Sequence, residues 1–185
     1  GHMDYGPETL ARLRRSEVAA ADAQLGEEWE ILDNRDGCLM PDLSVREELI
    51  RIIRRFEADA VFSHRPWDYH PDHRNTGILV QDTAYLVIVP NVCPDTPALW
   101  ENPMYFYLED PFEEPVPFRP DILAPIDDVW ERKVRALHQM PSQFYEWLPH
   151  TFGTLDSVPE SDDERLEWLD AVLREWMRTP FANEL

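Results

Sequence analysis

The order of elements between Ser44 and Val80 constrains this chain more than any other feature. Val45, Leu49, Ile52, Ile53 and Phe56 recur at i, i+4, i+7, i+8 and i+11, which predicts an amphipathic helix from Ser44 to Phe56. Ser44 with Glu47 has the pattern of a capping box, and Arg46, Arg51, Arg54 and Arg55 are expected on the solvated face. A very short turn leads to an apolar run, about Ala58 to Ser63, and a second helix is expected from Pro71. Helix, buried strand and helix in that order predict a βαβ unit with a parallel sheet.

Between that strand and that helix lies His64-Arg65-Pro66-Trp67-Asp68-Tyr69-His70-Pro71-Asp72-His73-Arg74. In open α/β sheets ligands bind beyond the carboxyl ends of the strands, which is where this cluster falls. His70 and His73, three apart, share one face of a first helical turn. Two imidazoles and two carboxylates within six residues suit a Zn²⁺ or similar ion. A lone His at a helix start is usually a cap, but the density of this run marks it as a site.

Asp68-Tyr69-His70-Pro71-Asp72-His73-Arg74, followed by Thr76-Gly77 and Val80-x-Asp82, resembles the second motif of the PIG-L/LmbE-like N-deacetylases, relatives of N-acetylglucosaminyl-phosphatidylinositol de-N-acetylase. The resemblance extends more loosely from about Pro7 to Pro149. It implies an α/β, Rossmann-like fold with a mainly parallel sheet flanked by helices. It also implies a zinc hydrolase that removes an acetyl group from an N-acetylated amino sugar of the N-acetylglucosamine type. By that resemblance His73 is the zinc ligand of this motif. His70 is a cationic acid stabilising the oxyanion, and Asp72 orients His70 and raises its pKa. Asp68, and secondarily His64, line the pocket mouth.

The family's first motif, A-H-P-D-D, supplies its other zinc ligands and its base, and it occurs nowhere in the 185 residues. Relatives also carry a His where this chain has Met140. Zinc is therefore expected to bind weakly to this chain alone. Three readings stay open. One is a deacetylase whose first strand lies outside this chain or on another chain. A second is a degenerate relative that binds sugars or a protein partner, and a third is a structural metal or capping site.

Elsewhere, Pro7 to Leu25 reads as a helix ended by Gly26, with Leu10, Leu13, Val18, Ala21 and Leu25 on one stripe. Arg14 and Glu17 match an R-x-x-E pattern that the family places near the sugar; Arg14 could equally sit on the polar face with Arg12 and Arg15. Asn34-Arg35-Asp36-Gly37 reads as a turn, and the family's Asp-Gly here makes Asp36 a substrate-binding candidate. Trp29 to Leu32, Met104 to Leu108 and Ile122 to Ala124 are strand candidates. Nine of the 17 prolines fall between Pro90 and Pro125, a loop region expected to shape a pocket or interface. Asp127 or Asp128 is expected to cap a helix from Val129 to Gln139, which outweighs an acid/base dyad. Ser161 and Glu164 open a final helix with Leu166, Leu169, Leu173 and Trp176 inward, stopped by Thr179-Pro180.

The formal charge, 17 − 37 = −20, argues against nucleic acid or anionic membrane surfaces as partners. An N-acetylated sugar or glycoconjugate is the expected partner, with a homo-oligomer open. No apolar run reaches spanning length and no signal peptide is visible, and Cys38 and Cys93 lie far apart, all suiting a cytoplasmic protein with free thiols. Gly1-His2-Met3 reads as an expression scar and residues 4–185 as one domain, so His2 is set aside from metal arguments.

Overall fold

The computed structural model describes residues 1–177. The chain, expected as one domain, divides into two compact units: Asn34–Pro120 forms one, and Gly1–Asp33 with the chain from Asp121 forms the other. The fold is mixed α/β.

The continuous unit holds the predicted βαβ arrangement. Helix α2 (Leu43–Arg55) leads into strand β1 (Ala60–Ser63), helix α3 (Pro71–Thr83) crosses over, and strand β2 (Met104–Tyr107) returns beside β1. The two strands are parallel, with Ala60 opposite Met104 and Ser63 opposite Tyr107. Backbone bonds from Met104 N–H to Asp59 O and Leu108 N–H to Ser63 O, both 2.9 Å, lock that register. The sheet has these two strands among the described residues. Ile50 and Ile53 of α2 pack with Val87 and Cys93, flanked by Val61 of β1. Of the stripe read from the sequence, Val45 and Ile53 are buried, whereas Phe56 is exposed and Ile50, outside that stripe, is fully buried.

Two expectations for α2 are corrected. Its cap is Asp42, whose Oδ1 accepts the Val45 N–H at 3.1 Å and the Ser44 hydroxyl at 2.7 Å; Ser44 is helical and cannot cap. Arg54 is not on a solvated face. Only 3% exposed, it donates to the carbonyls of Leu86, Val87, Val89, Val92, Cys93 and Thr96 at 2.7–3.0 Å. The segment after α3 is a short 3₁₀ turn (Leu86–Ile88) and then irregular. The carbonyls of Leu86, Val87, Val89 and Cys93 also accept the N–H groups of Val89, Leu99, Val92 and Thr96, so there the guanidinium is a second donor. On α3, Leu79 is buried, while Tyr85 is exposed, because the helix stops at Thr83 and Tyr85 takes φ +67°.

In the other unit, α1 (Pro7–Leu25) starts with Pro7 at a position needing no N–H partner and ends at Gly26 in the left-handed region. Asp127–Val129 form a 3₁₀ turn before α4 (Trp130–His138), and neither aspartate caps it by a side-chain hydrogen bond. Ser142–Trp147 form a π-helical segment that runs into α5 (Leu148–Phe152), and α6 (Asp162–Trp176) follows. Val134, Tyr145, Leu169 and Leu173 make its core. Ser161 is the N-cap of α6 but its hydroxyl bonds the Glu164 carboxylate at 2.6 Å rather than a backbone N–H. Trp176 is half exposed, and the expected Thr179-Pro180 stop lies outside the described residues. Trp29–Leu32 and Ile122–Ala124 form no strand. His2 is packed within this unit: its ring stacks on Tyr5 at 4.3 Å and its Nε2 lies 2.8 Å from Glu146.

Candidate active site

β1 ends at Ser63 and the chain turns through His64–Tyr69 before α3 begins, so the cluster sits beyond the carboxyl end of a parallel strand. Gly77 sets the depth of that junction. A Cβ there would lie 2.6 Å from the His64 carbonyl oxygen and 3.0 Å from the Arg65 carbonyl carbon, so only glycine lets α3 come this close to the strand exit.

Close approach brings three imidazoles together. His73 stacks on His64 at 4.6 Å between ring centroids, with planes 19° apart. The His70 ring lies 4.5 Å from that of His73, tilted by 32°. His70 is the N-cap of α3: its Nδ1 accepts the Asp72 N–H at 3.2 Å. An acceptor Nδ1 leaves the proton of the neutral ring on Nε2.

The expected pairing of Asp72 with the His70 ring is corrected. The Asp72 carboxylate turns to the loop at 37–39, accepting the Gly37 N–H at 2.6 Å and the Leu39 N–H at 3.1 Å. The bond to His70 comes from its backbone. Asp68, 6% exposed, is the carboxylate that orients the cluster. Its Oδ1 accepts the His70 N–H at 2.8 Å, and its Oδ2 lies 3.2 Å from His73 Nδ1. With Nδ1–H held by a carboxylate, His73 presents a bare Nε2, the arrangement that suits an imidazole ligand. Asp36 lies in the turn immediately before Gly37, so the Asp72 bond ties its loop to the start of α3.

His64 was a secondary candidate, and it is central here. Its Nδ1 is buried without a hydrogen-bond partner. Burial, and then the neighbouring His73, push its pKa below the ordinary imidazole value. The signal that could have shown this was Gly77, thirteen residues on, which only matters once α3 folds back over the strand exit.

The donor set has the chemistry of a zinc site, but its fit is incomplete. Imidazole lone pairs lie in the ring plane, so stacked rings send them side by side rather than toward one point. Among the described residues no group of three or more His, Cys, Asp or Glu is arranged to hold a metal ion. The concavities of about 390 Å³ beside α2 and about 410 Å³ between α4 and α6 are lined by other residues.

Arg14 belongs to the other unit. Its Nη2 donates to the Ser142 carbonyl at 3.4 Å, while buried Glu17 accepts the Ser142 N–H at 2.8 Å and hydroxyl at 2.6 Å. The R-x-x-E pair thus grips the residue after Met140-Pro141, which distinguishes Arg14 from its exposed neighbours Arg12 and Arg15.

Comparison with known proteins matches these features. The model of the family described as PIG-L: GlcNAc-PI de-N-acetylase covers residues 1–84, which include the whole cluster. A 4-oxalmesaconate hydratase of Pseudomonas putida is 29% identical over 75% of this chain and 54% of its own length. A diacetylchitobiose deacetylase of Thermococcus kodakarensis is 26% identical over 78% of this chain and 56% of its own. The chain therefore spans little more than half the length of these relatives. In structure, the N,N'-diacetylchitobiose deacetylase of Pyrococcus horikoshii superposes with a TM-score of 0.66 over 100% of this chain and 73% of that one, at 23% identity, a likeness of fold. Through residues 1–84, the segment that carries its imidazole cluster, the chain is similar to the PIG-L family.

Proposed function

We propose that this chain carries the imidazole half of the active site of a hydrolase that removes an acetyl group from an N-acetylated amino sugar. The observation that supports it best is the Asp68–His73 pair at the end of β1, which holds one imidazole nitrogen bare beside two further rings. His73 would contribute one ligand to a zinc ion, and a zinc site of this kind polarises an amide carbonyl and lowers the pKa of bound water. The described residues do not close its ligand set. His70 offers Nε2–H as a donor to a carbonyl oxygen, from a ring fixed at Nδ1 by the α3 N-terminus. Asp68 holds His73 and the His70 backbone from one buried carboxylate. Asp36 and Arg14 remain substrate-binding proposals. The reading carries with it a Rossmann-like sheet, of which β1 and β2 are the described part.

The test is acetate release from N,N'-diacetylchitobiose with zinc supplied, by these 185 residues and by a chain extended to the length of the relatives. The extended chain should release acetate and lose at least about a hundredfold in rate on His73→Ala. An extended chain that releases none, or a His73→Ala chain with full rate, refutes the proposal. A second reading, addition of water to a carbon–carbon double bond, is favoured by the hydratase relative. Loss of ultraviolet absorbance from an unsaturated dicarboxylate, without acetate release from the sugar, would establish it instead.

A further inference from the structure

The proline-rich segment beside the motif has no regular structure from 109 to 118, yet it is fixed by one side chain. Arg65, 3% exposed, grips Asp110 with Nε at 2.7 Å and Nη2 at 2.6 Å, and donates to the carbonyls of Phe112 at 3.0 Å and Val116 at 2.8 Å. Its guanidinium carbon lies 5.5 Å from the ring centroids of both Trp67 and Phe118. Asp110 in turn accepts the Phe112 N–H at 3.0 Å. Phe112 is thus held in place from both sides of its backbone, and its ring stacks on Tyr69 at 4.3 Å with planes 26° apart.

Tyr69 stands inside the motif, between Asp68 and His70, and is 61% exposed. One face of its ring is backed by Phe112, and the exposure belongs to the other. Leaving a large apolar face in water while fixing its orientation is unfavourable for folding, but it prepares a flat surface whose ordering cost is already met before a ligand arrives. The nearby cations are engaged: Arg65 as above, and Arg74, whose Nη1 donates to the carbonyls of Asp68 at 2.8 Å and Tyr69 at 3.4 Å. In a chain of net charge −20, a neutral ligand suits this surface better than an anion.

Resting on the hydrolase reading, we propose that Tyr69 is the stacking platform for a pyranose ring of the substrate, whose polarised C–H face meets the electron-rich face of the phenol ring. Phe112 and Arg65 are positioning residues for it. The probe is N,N'-diacetylchitobiose titrated into the 185-residue chain, with affinity read by calorimetry and contacts by saturation-transfer NMR. Tyr69→Phe should bind within about twofold of the parent, and Tyr69→Ala about tenfold more weakly with an unchanged circular dichroism spectrum. Saturation should pass to the ring C–H protons more than to the acetyl methyls. Parent-like binding by Tyr69→Ala, absence of sugar binding by the parent, or tighter binding of a planar dicarboxylate overturns the proposal. The hydrolase reading is judged separately. Acetate release by the extended chain alongside parent-like binding by Tyr69→Ala removes only the platform. Sugar binding that depends on Tyr69, with no acetate release, removes only the hydrolase.

Discussion

At the scale of single residues, the motif was legible as a site but its internal pairing was not. Asp68 and Asp72 flank His70 symmetrically in sequence, and nothing local says which carboxylate holds which ring. The decision is made by the loop at 37–39, which is distant in sequence and takes the Asp72 carboxylate with two N–H groups, leaving Asp68 for His73. This division is testable. Asp68→Asn should weaken zinc binding to the extended chain by about 10–100-fold and shift the His73 ring N–H resonance. Asp72→Asn should instead speed hydrogen exchange at the Gly37 and Leu39 amides, with a smaller effect on zinc. The opposite pattern would return the orienting role to Asp72.

At the scale of elements, periodicity located most of the long helices, because an apolar stripe is a local property of the sequence. It misplaced Arg54, since a helix's polar positions look solvated until an irregular segment turns its carbonyls onto them. It also named strands at Trp29 and Ile122, where apolar runs found no partner strand. Gly77 shows the same limit: within α3 it reads as a weak helix former, and its reason is the backbone of His64 and Arg65. Alanine there would gain about 1 kcal/mol of helix propensity. The 2.6 Å contact with a carbonyl oxygen opposes that gain, because backbone on both sides must move. Gly77→Ala should destabilise the protein by about 1–3 kcal/mol in urea unfolding, and break the His64–His73 stack. A stabilised variant would mean α3 is not held by that approach.

Between α4 and α6 the link is Asp170, which accepts the Trp130 indole N–H at 2.6 Å and the Arg174 Nε–H at 2.8 Å. The Arg174 bond first, then the Trp130 bond, hold its pKa below the ordinary carboxylate value. A carboxylate whose folded pKa lies below its unfolded one binds fewer protons when folded. Its contribution is therefore complete above pH 3.8 and is lost as pH falls toward the lower folded value. The group is well exposed, so the contribution stays within about 1 kcal/mol. The difference in urea midpoint between the parent and Asp170→Ala should be smaller at about pH 3 than at about pH 5. A difference undiminished there would assign the effect to packing around Trp130.

At the scale of the whole molecule, the two units differ in what they contribute. The continuous unit, Asn34–Pro120, contains every imidazole of the cluster, while the other holds Arg14 and Glu17 closed on Ser142. Catalytic zinc sites normally take three protein ligands. Here one imidazole is oriented by a carboxylate, with one neighbouring ring stacked on it and the other tilted against it. The 185 residues alone should therefore retain well under one equivalent of zinc after dialysis and release no acetate from N,N'-diacetylchitobiose. A chain extended to the relatives' length, with A-H-P-D-D supplied upstream, should retain about one equivalent, and His73→Ala should lose it. Elemental analysis after gel filtration checks both. Stoichiometric zinc on the 185 residues, with acetate release that zinc restores after chelation, would mean that His64 or Asp68 rotates to complete the set. The stacked arrangement would then be one of two states of the cluster.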